Sequence, residues 1–389
     1  MPFNFDEEIN RAGTNCYKYD MRKDIFNTED VLPMWVADGD FKAPEAVIKA
    51  IEERLHHGIF GYTFKGDDYF EAIINWNKMR HGWNIKKEWI HYSPGVVPSL
   101  NLAVTTLTEP GDEVIIQSPV YFPFYSAVTT YKRKILRNPL VLNNEGRYEM
   151  NLQELEEKIS TRTKLLFLCS PHNPTGNVWK KEELEALCNL CIKNNITIVS
   201  DEIHADLIFP GNKHIPTAKL SEEISQNTIT FMAPSKTFNI AGLSSSYMVS
   251  ENEELLNKVS KPLKDLHLTH GNIFGITATV AAYNNGSEWL DAQMNYFTDT
   301  LKYVNQFVDN ELPQVKLIQP EGTYLLWFDF RSLNLKQEEL NKLLITKAKV
   351  GLSDGAVFGK EGIGFERMNI ACPRSSVIKA LKMIKSALN

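Results

Sequence analysis

Four short, almost unbroken apolar runs constrain this chain most: residues 113–117, 164–169, 196–199 and 228–233. Each is long enough for one strand, and none alternates as a sheet with one wet face would, so they read as strands buried on both faces. Between the second and third, Lys181 to Lys193 has helical apolar spacing. Strand, helix, strand in that order implies a parallel sheet, because parallel neighbours need a crossover of that length. The fold class expected is α/β.

In an open parallel sheet the carboxyl ends of the strands face the ligand crevice. Here those ends deliver Ser118 to Tyr121, Ser170 to Gly176, Ser200 to His204, and Ser235 with Lys236. One sheet edge thus gathers an aromatic ring, an amide, a carboxylate with a histidine, and an amine. These are the groups that hold pyridoxal phosphate, which needs a lysine for its covalent link and an acid to keep the pyridine nitrogen protonated. Lys236, partly desolvated at a strand end, loses some preference for the charged form and offers the free amine. Asp201 is assigned to the ring nitrogen, with Glu202 pointing to the opposite side. Asn173 and His204 suit the ring hydroxyl, and Tyr121 suits the ring face.

The phosphate needs backbone donors at a helix start. Ser93-Pro-Gly-Val-Val97 precedes an apolar helical stretch through Leu107. Gly95 allows close approach there, and the amides of Val96 and Val97 are free at the helix mouth. Ser235 can add a hydroxyl.

Composition removes other function classes. The 389 residues suffice for two domains, and 42 basic against 48 acidic side chains argue against nucleic-acid binding. No run approaches the roughly 18 apolar residues of a membrane span, and the opening residues lack a signal peptide's pattern, so a cytoplasmic protein without a membrane role is expected. The odd cysteine count of 5 fits a reducing compartment better than a disulfide framework. Cys188 and Cys191 lie on the helical stretch 182–194 with no second pair, and His56 with His57 lack zinc-site spacing, so no metal is expected.

The chain resembles fold-type I pyridoxal-phosphate enzymes of the class I/II aminotransferase superfamily, and within it the MalY/PatB group of carbon–sulfur β-lyases. The resemblance runs nearly end to end, through Arg11 to Asp20, Leu32 to Phe41, Phe60 to Thr63, Ser93 to Val97, Ser170 to Gly176, Ser200 to His204, Ala233 to Asn239, Pro320 to Leu325 and Asn369 to Arg374. It implies Lys236 as the covalent lysine, Asp201 as the ring-nitrogen partner, Asn173 at the ring hydroxyl and Tyr121 stacked on the ring. It also implies a substrate site of Ala37, Tyr121, Asn173 and Arg374, with Arg374 clamping the α-carboxylate. Tyr62 would reach the phosphate of a neighbouring subunit, making the working unit a homodimer with shared sites.

By the same resemblance, residues 45–280 form a large cofactor-binding domain on a mostly parallel sheet, and 1–44 with 281–389 form a smaller α+β domain. Strands over 315–318, 324–330 and 366–371 alternate there with helices over 337–349 and 375–388. Three positions depart from patterns in the superfamily. Ser244 stands where aspartate aminotransferases carry a phosphate-binding arginine, His204 where they carry tyrosine, and Gly39 where the lyase group carries methionine. The first two favour the lyase group; Gly39 leaves the wall near Asp38 less filled. The activity implied is α,β-elimination from an L-amino acid bearing sulfur on its β-carbon, such as cystathionine or cysteine. An aminotransferase would share every cofactor residue, and the MalY/PatB resemblance also admits a regulatory protein partner.

Overall fold

A computed structural model of the chain describes residues 3–389. Seven strands form its main sheet: β1 (Ile90–Ser93), β2 (Glu113–Ile116), β3 (Lys134–Arg137), β4 (Thr163–Cys169), β5 (Thr197–Asp201), β6 (Thr228–Met232) and β7 (Ser246–Val249). Their spatial order is β1-β7-β6-β5-β4-β2-β3. β2 to β6 pair in parallel, and β7 alone runs against its neighbours β1 and β6. The four apolar runs are therefore the adjacent central strands β6, β5, β4 and β2.

The unbroken apolar character of these strands reflects two cores, one on each face. Leu165, Phe167 and Cys169 of β4 pack with Val199 and with Leu100 and Val104 of helix α1 (Val96–Leu107). Leu166 and Leu168 point the other way, with Ile198 and with Leu184, Leu187, Cys188 and Cys191 of α2 (Lys181–Lys193). That is the two-residue period of a strand covered by helices on both sides. Truncating Phe167 to alanine here would cost about 3–5 kcal/mol. Helix α2 spans the range its spacing predicts, opens with Glu182 and Glu183 where acids complement the helix dipole, and buries Cys188 and Cys191 as unpaired core thiols.

A second, antiparallel sheet of four strands follows: β8 (Lys316–Ile318), β9 (Leu325–Asp329), β10 (Ser353–Asp354) and β11 (Phe365–Asn369), in the order β8-β9-β11-β10. Helices α3 (Ile273–Asn285) and α4 (Ser287–Glu311) lead into it, and α5 (Gln337–Lys342) and α6 (Arg374–Leu388) accompany it. The boundary expected at residue 280 falls inside α3, which runs on to Gly286 before the chain turns. The helix expected over 337–349 is regular only to Lys342, then widens into a π-helical turn over Leu343–Lys347.

The N-terminal segment joins this second unit, where Leu32 and Pro33 pair in parallel with Val350 and Gly351. Just beyond, residues 35–39 form a strap whose carbonyls are each taken up by side chains from elsewhere. Trp35 O accepts from Arg367 Nη2 and Ser353 Oγ, and Val36 O accepts from Asn369 Nδ2. Gly39 O accepts from Arg11 Nη1 and Asn239 Nδ2. Arg11 is also paired with Asp38 and Asp40, and the buried Lys18 with Asp40 at 2.7 Å. Among the described residues no helix is long and apolar enough to cross a membrane.

Candidate active site

The carboxyl ends of β2, β4, β5 and β6 open on one cavity of about 210 Å³, bounded on another side by the start of α1. Ala37, Gly95, Val96, Val97, Tyr121, Asn173, Asp201, His204, Ser235 and Lys236 all line it. The parallel topology brings these residues together from five separate stretches of chain, with Ala37 supplied by the strap.

At the α1 end, Gly95 is the residue before the first helical turn, and its carbonyl accepts from Ser99 N at 3.2 Å. Pro98 carries no N–H, and among the described residues the Val96 and Val97 amides have no acceptor. Two free donors at a helix N-terminus make an anion seat. Gly95 is in extended backbone, so its value there is room: a Cβ would stand 3.1 Å from Pro98 Cδ.

Lys236 leaves the end of β6 half-buried, and its Nζ donates to Ala37 O at 2.6 Å. Burial lowers its pKa to about 8, partly opposed by the charges of Asp38 and Asp201 and assisted by that of Arg367. Asp201 is buried, and its Oδ1 accepts from Ile203 N at 3.2 Å. Burial pushes its carboxyl up to about 7, against the Ile203 hydrogen bond, with neighbouring Glu202 adding to the rise and Lys236 opposing it. Glu202 turns away as expected, pairing with His214 Nε2 at 2.8 Å and accepting from Thr217 N. His204 is buried and held neutral, its pKa lowered to about 3 by burial and then by the charges of Lys236 and Arg367. Among the described residues its Nδ1 has no partner. Burial also raises the Tyr121 hydroxyl above its ordinary range.

Arg374 lies away from this cavity, and Tyr62, expected at a neighbouring subunit's site, lies outside the cavity of its own chain. Arg374 is the first residue of α6, and Pro373 before it turns the chain so that the guanidinium faces α4. There Nε donates to Thr300 Oγ1 at 3.2 Å and the charged plane lies 5.0 Å over the Tyr296 ring, away from the cavity. Tyr62 is 103% exposed on the loop after Gly58, its ring 6.4 Å from that of His270. It takes no part in the cavity of its own chain.

An arginine that sequence reasoning missed, Arg367 on β11, does line a cavity with Lys236. Arg367 is buried; Nη1 donates to Asn173 Oδ1 at 3.0 Å, and Nη2 to Trp35 O at 2.7 Å. Among the described residues its Nε has no partner and no carboxylate lies within ion-pairing distance. Burial lowers its pKa to about 10. A buried guanidinium without an anion is poised for one. The signal in the sequence was a charged pair, Glu366-Arg367, inside an otherwise buried strand.

The wall near Asp38 is also different from expectation. The space beside Gly39 is taken by Asn239, whose Oδ1 accepts from Gly39 N at 2.9 Å and whose Cγ would stand 3.1 Å from a Cβ at that position. Ser244 sits in the left-handed region with φ 48° and carries no cation to the cavity.

The chain is similar to known proteins over nearly its whole length. The family model for aminotransferase class I and II matches residues 31–384. Cystathionine beta-lyase PatB of Bacillus subtilis (strain 168) is 44% identical over 387 residues, covering 99% of this chain and 100% of its own. Protein MalY of Escherichia coli (strain K12) is 33% identical, covering 99% of each. The crystal structure of cystalysin from Treponema denticola, which contains a pyridoxal 5'-phosphate cofactor, superposes with a TM-score of 0.95 at 36% identity, over 100% of this chain and 99% of that one.

Proposed function

Since the chain belongs to the class I and II aminotransferase family, in its MalY/PatB-type branch of carbon–sulfur lyases, we propose how its own residues carry out α,β-elimination on a sulfur-bearing L-amino acid. It is a pyridoxal-phosphate enzyme, and the cavity suits that cofactor. The paired free amides of Val96 and Val97 suit a phosphate, and Lys236, with its depressed pKa, suits the aldehyde. Asp201, a buried carboxyl in no ion pair among the described residues, suits a ring nitrogen that brings its own proton. The unpartnered Nδ1 of His204 leaves a hydrogen-bonding position free beside it.

Bound there, the cofactor supplies a sink for the electron pair left when the substrate's α-proton departs. Arg367 holds the substrate α-carboxylate through its planar fork, and Asn173 keeps that fork in place through the bond to Nη1. Lys236 Nζ, as a free amine, would take the α-proton. The strap carbonyl of Ala37 orients that amine and Tyr324, whose hydroxyl also donates to Ala37 O at 3.2 Å, braces the strap. The Cα–H and Cβ–S bonds break, sulfur leaves as thiol, and one water is consumed as the remainder becomes pyruvate and ammonia.

The observation that carries this reading is the placing of a lysine with a lowered pKa and a buried, anion-free arginine on one cavity. The test is purified protein with L-cystathionine and no keto acid, scored for pyruvate. Pyruvate formed without an acceptor is the expected result; turnover only when a keto acid is supplied marks an aminotransferase instead.

The working unit in this proposal is a homodimer. Ile59, Phe60, Tyr62 and Phe64 stand exposed along one loop, and Leu266 and Leu268 are exposed near its contact with His270. Apolar side chains concentrated in this way suit a subunit interface, and Tyr62 among them suits a donor to the partner's phosphate.

A further inference from the structure

Beside Lys236 lies a second and larger cavity, of about 580 Å³, whose walls include Ala37, Tyr121 and Lys236 from the first cavity, and Arg367. An amino acid held by Arg367 with its α-carbon at Lys236 therefore has this space available for whatever its sulfur carries. The walls are set by Phe26, Trp35, Leu344 and Leu352. Its rim holds Tyr17, Ile25, Phe122 and Val357, four large apolar side chains that are 43–58% exposed to water. Apolar surface left wet around a cavity is surface awaiting a ligand.

Charge points the same way. Among the described residues, the only cations lining the space are Lys236 and Arg367, both already engaged in the elimination. Its acids are Asp354, which accepts from Asn341 Nδ2 at 2.7 Å, and Glu366, which accepts from Gln337 Nε2 at 2.9 Å. A second carboxylate entering here would lose water and find no free cation, the costly way to bury a charge, while a distal ammonium would meet Asp354, already bonded to Asn341, and Glu366, whose carboxyl burial and then Asp354 hold well above the ordinary range. An uncharged group would gain apolar contact on most sides.

We propose that the sulfur substituent this site is built for is uncharged and apolar, an arylthio or alkylthio group, and that the zwitterionic distal half of cystathionine is the poorer fit. This rests on the lyase reading above. The reaction is the same elimination: the thiolate leaves with the Cβ–S bonding pair, takes up a proton, and one water converts the remaining three carbons and nitrogen to pyruvate and ammonia.

The test is initial-rate pyruvate release by the holoenzyme from S-benzyl-L-cysteine, L-cystathionine and β-chloro-L-alanine. The last carries a leaving group too small to use the second cavity, so it reports elimination alone. The expected kcat/KM for S-benzyl-L-cysteine is at least tenfold above that for cystathionine. Val357→Arg, which adds a cation at the exposed rim, is expected to move that ratio at least fivefold toward cystathionine. Equal or better use of cystathionine by the wild type, with chloroalanine turned over, overturns the proposal and leaves the lyase reading standing. A ratio unmoved by Val357→Arg, in protein of native melting temperature, overturns the cavity as the seat of the preference. No pyruvate from any of the three overturns the lyase reading itself.

Discussion

The ammonium of Lys236 donates to the carbonyl oxygen of Ala37 across 199 residues of sequence, at 2.6 Å. The strap carrying that carbonyl also receives Arg367 two residues earlier, at Trp35. One short segment, turned at Val36 and Ala37, therefore sets the distance between the amine that handles the α-proton and the guanidinium proposed for the α-carboxylate.

Cofactor capture should report the state of Lys236. An ordinary lysine, with a pKa of about 10.4, gains free amine across the whole range up to pH 10. Lys236, lowered to about 8, should gain it roughly tenfold per pH unit only below pH 8 and then level off. The rate at which cofactor-free protein turns yellow with pyridoxal phosphate, followed from pH 6 to 10, measures this directly. In Lys236→Ala the colour should no longer be fixed by borohydride, and pyruvate output should fall about 10³-fold, within the usual span of a lost acid–base group.

The two arginines make a paired prediction. Arg367→Lys keeps the charge but loses the fork, and the hydrogen bonds to a charged group that it gives up are worth about 1.5–3 kcal/mol. KM for the amino-acid substrate should rise about 10- to 100-fold. Arg374→Ala removes only a contact with Thr300 and Tyr296, so its steady-state constants should match the wild type while its Tm falls slightly. Equal KM effects in the two variants would return the carboxylate to Arg374.

What the sequence made legible divides along this line. Tyr121, Asn173, Asp201 and Lys236 each follow an apolar run directly, so local pattern and parallel topology suffice to bring them to one edge. Arg367 sits within a strand whose sequence, Phe365-Glu-Arg-Met-Asn369, has no clean alternation, and only the packing of the second sheet against the strap reveals that its charge is buried. Family resemblance pointed instead to the arginine after Cys372-Pro373, seven residues on. The strap contacts and the Asn239 filling beside Gly39 depend on pairs about 200 residues apart, and neither period nor composition encodes such pairs.

His204 gives a stability prediction with a definite sign. Its folded pKa is lowered to about 3 from the ordinary histidine value of about 6.5. The unfolded chain therefore binds a proton below pH 6.5 that the folded protein refuses until about pH 3. Stability from this group is complete above pH 6.5 and drains as pH falls toward 3, at up to about 1.4 kcal/mol per pH unit. Asp201 has the opposite sense, with folded pKa raised to about 7 from 3.8, so its contribution is complete below pH 3.8 and is lost toward pH 7. Urea unfolding of cofactor-free protein at pH 6.5, 5.5 and 4.5 should show His204→Asn losing less stability on acidification than the wild type. Parallel slopes in the two proteins would mean that His204 is protonated in the fold.

The shared site is tested by mixing. Tyr62 is exposed and absent from its own cavity, so a role at the phosphate has to be exercised in the partner. Tyr62→Ala should retain Lys236 chemistry but hold pyridoxal phosphate more weakly, by about 10- to 100-fold for one hydrogen bond to a charged group. Assayed at limiting cofactor, it and Lys236→Ala should each be poorly active as homodimers. In a heterodimer of the two, one site carries both defects and the other carries native Tyr62 and native Lys236. Exchanging subunits, with the heterodimer verified by native mass spectrometry, should therefore restore up to half of the wild-type activity per heterodimer. If Tyr62 served its own subunit, no site in that heterodimer would be fully native in function beyond those already present in the parents, and activity would stay at their average.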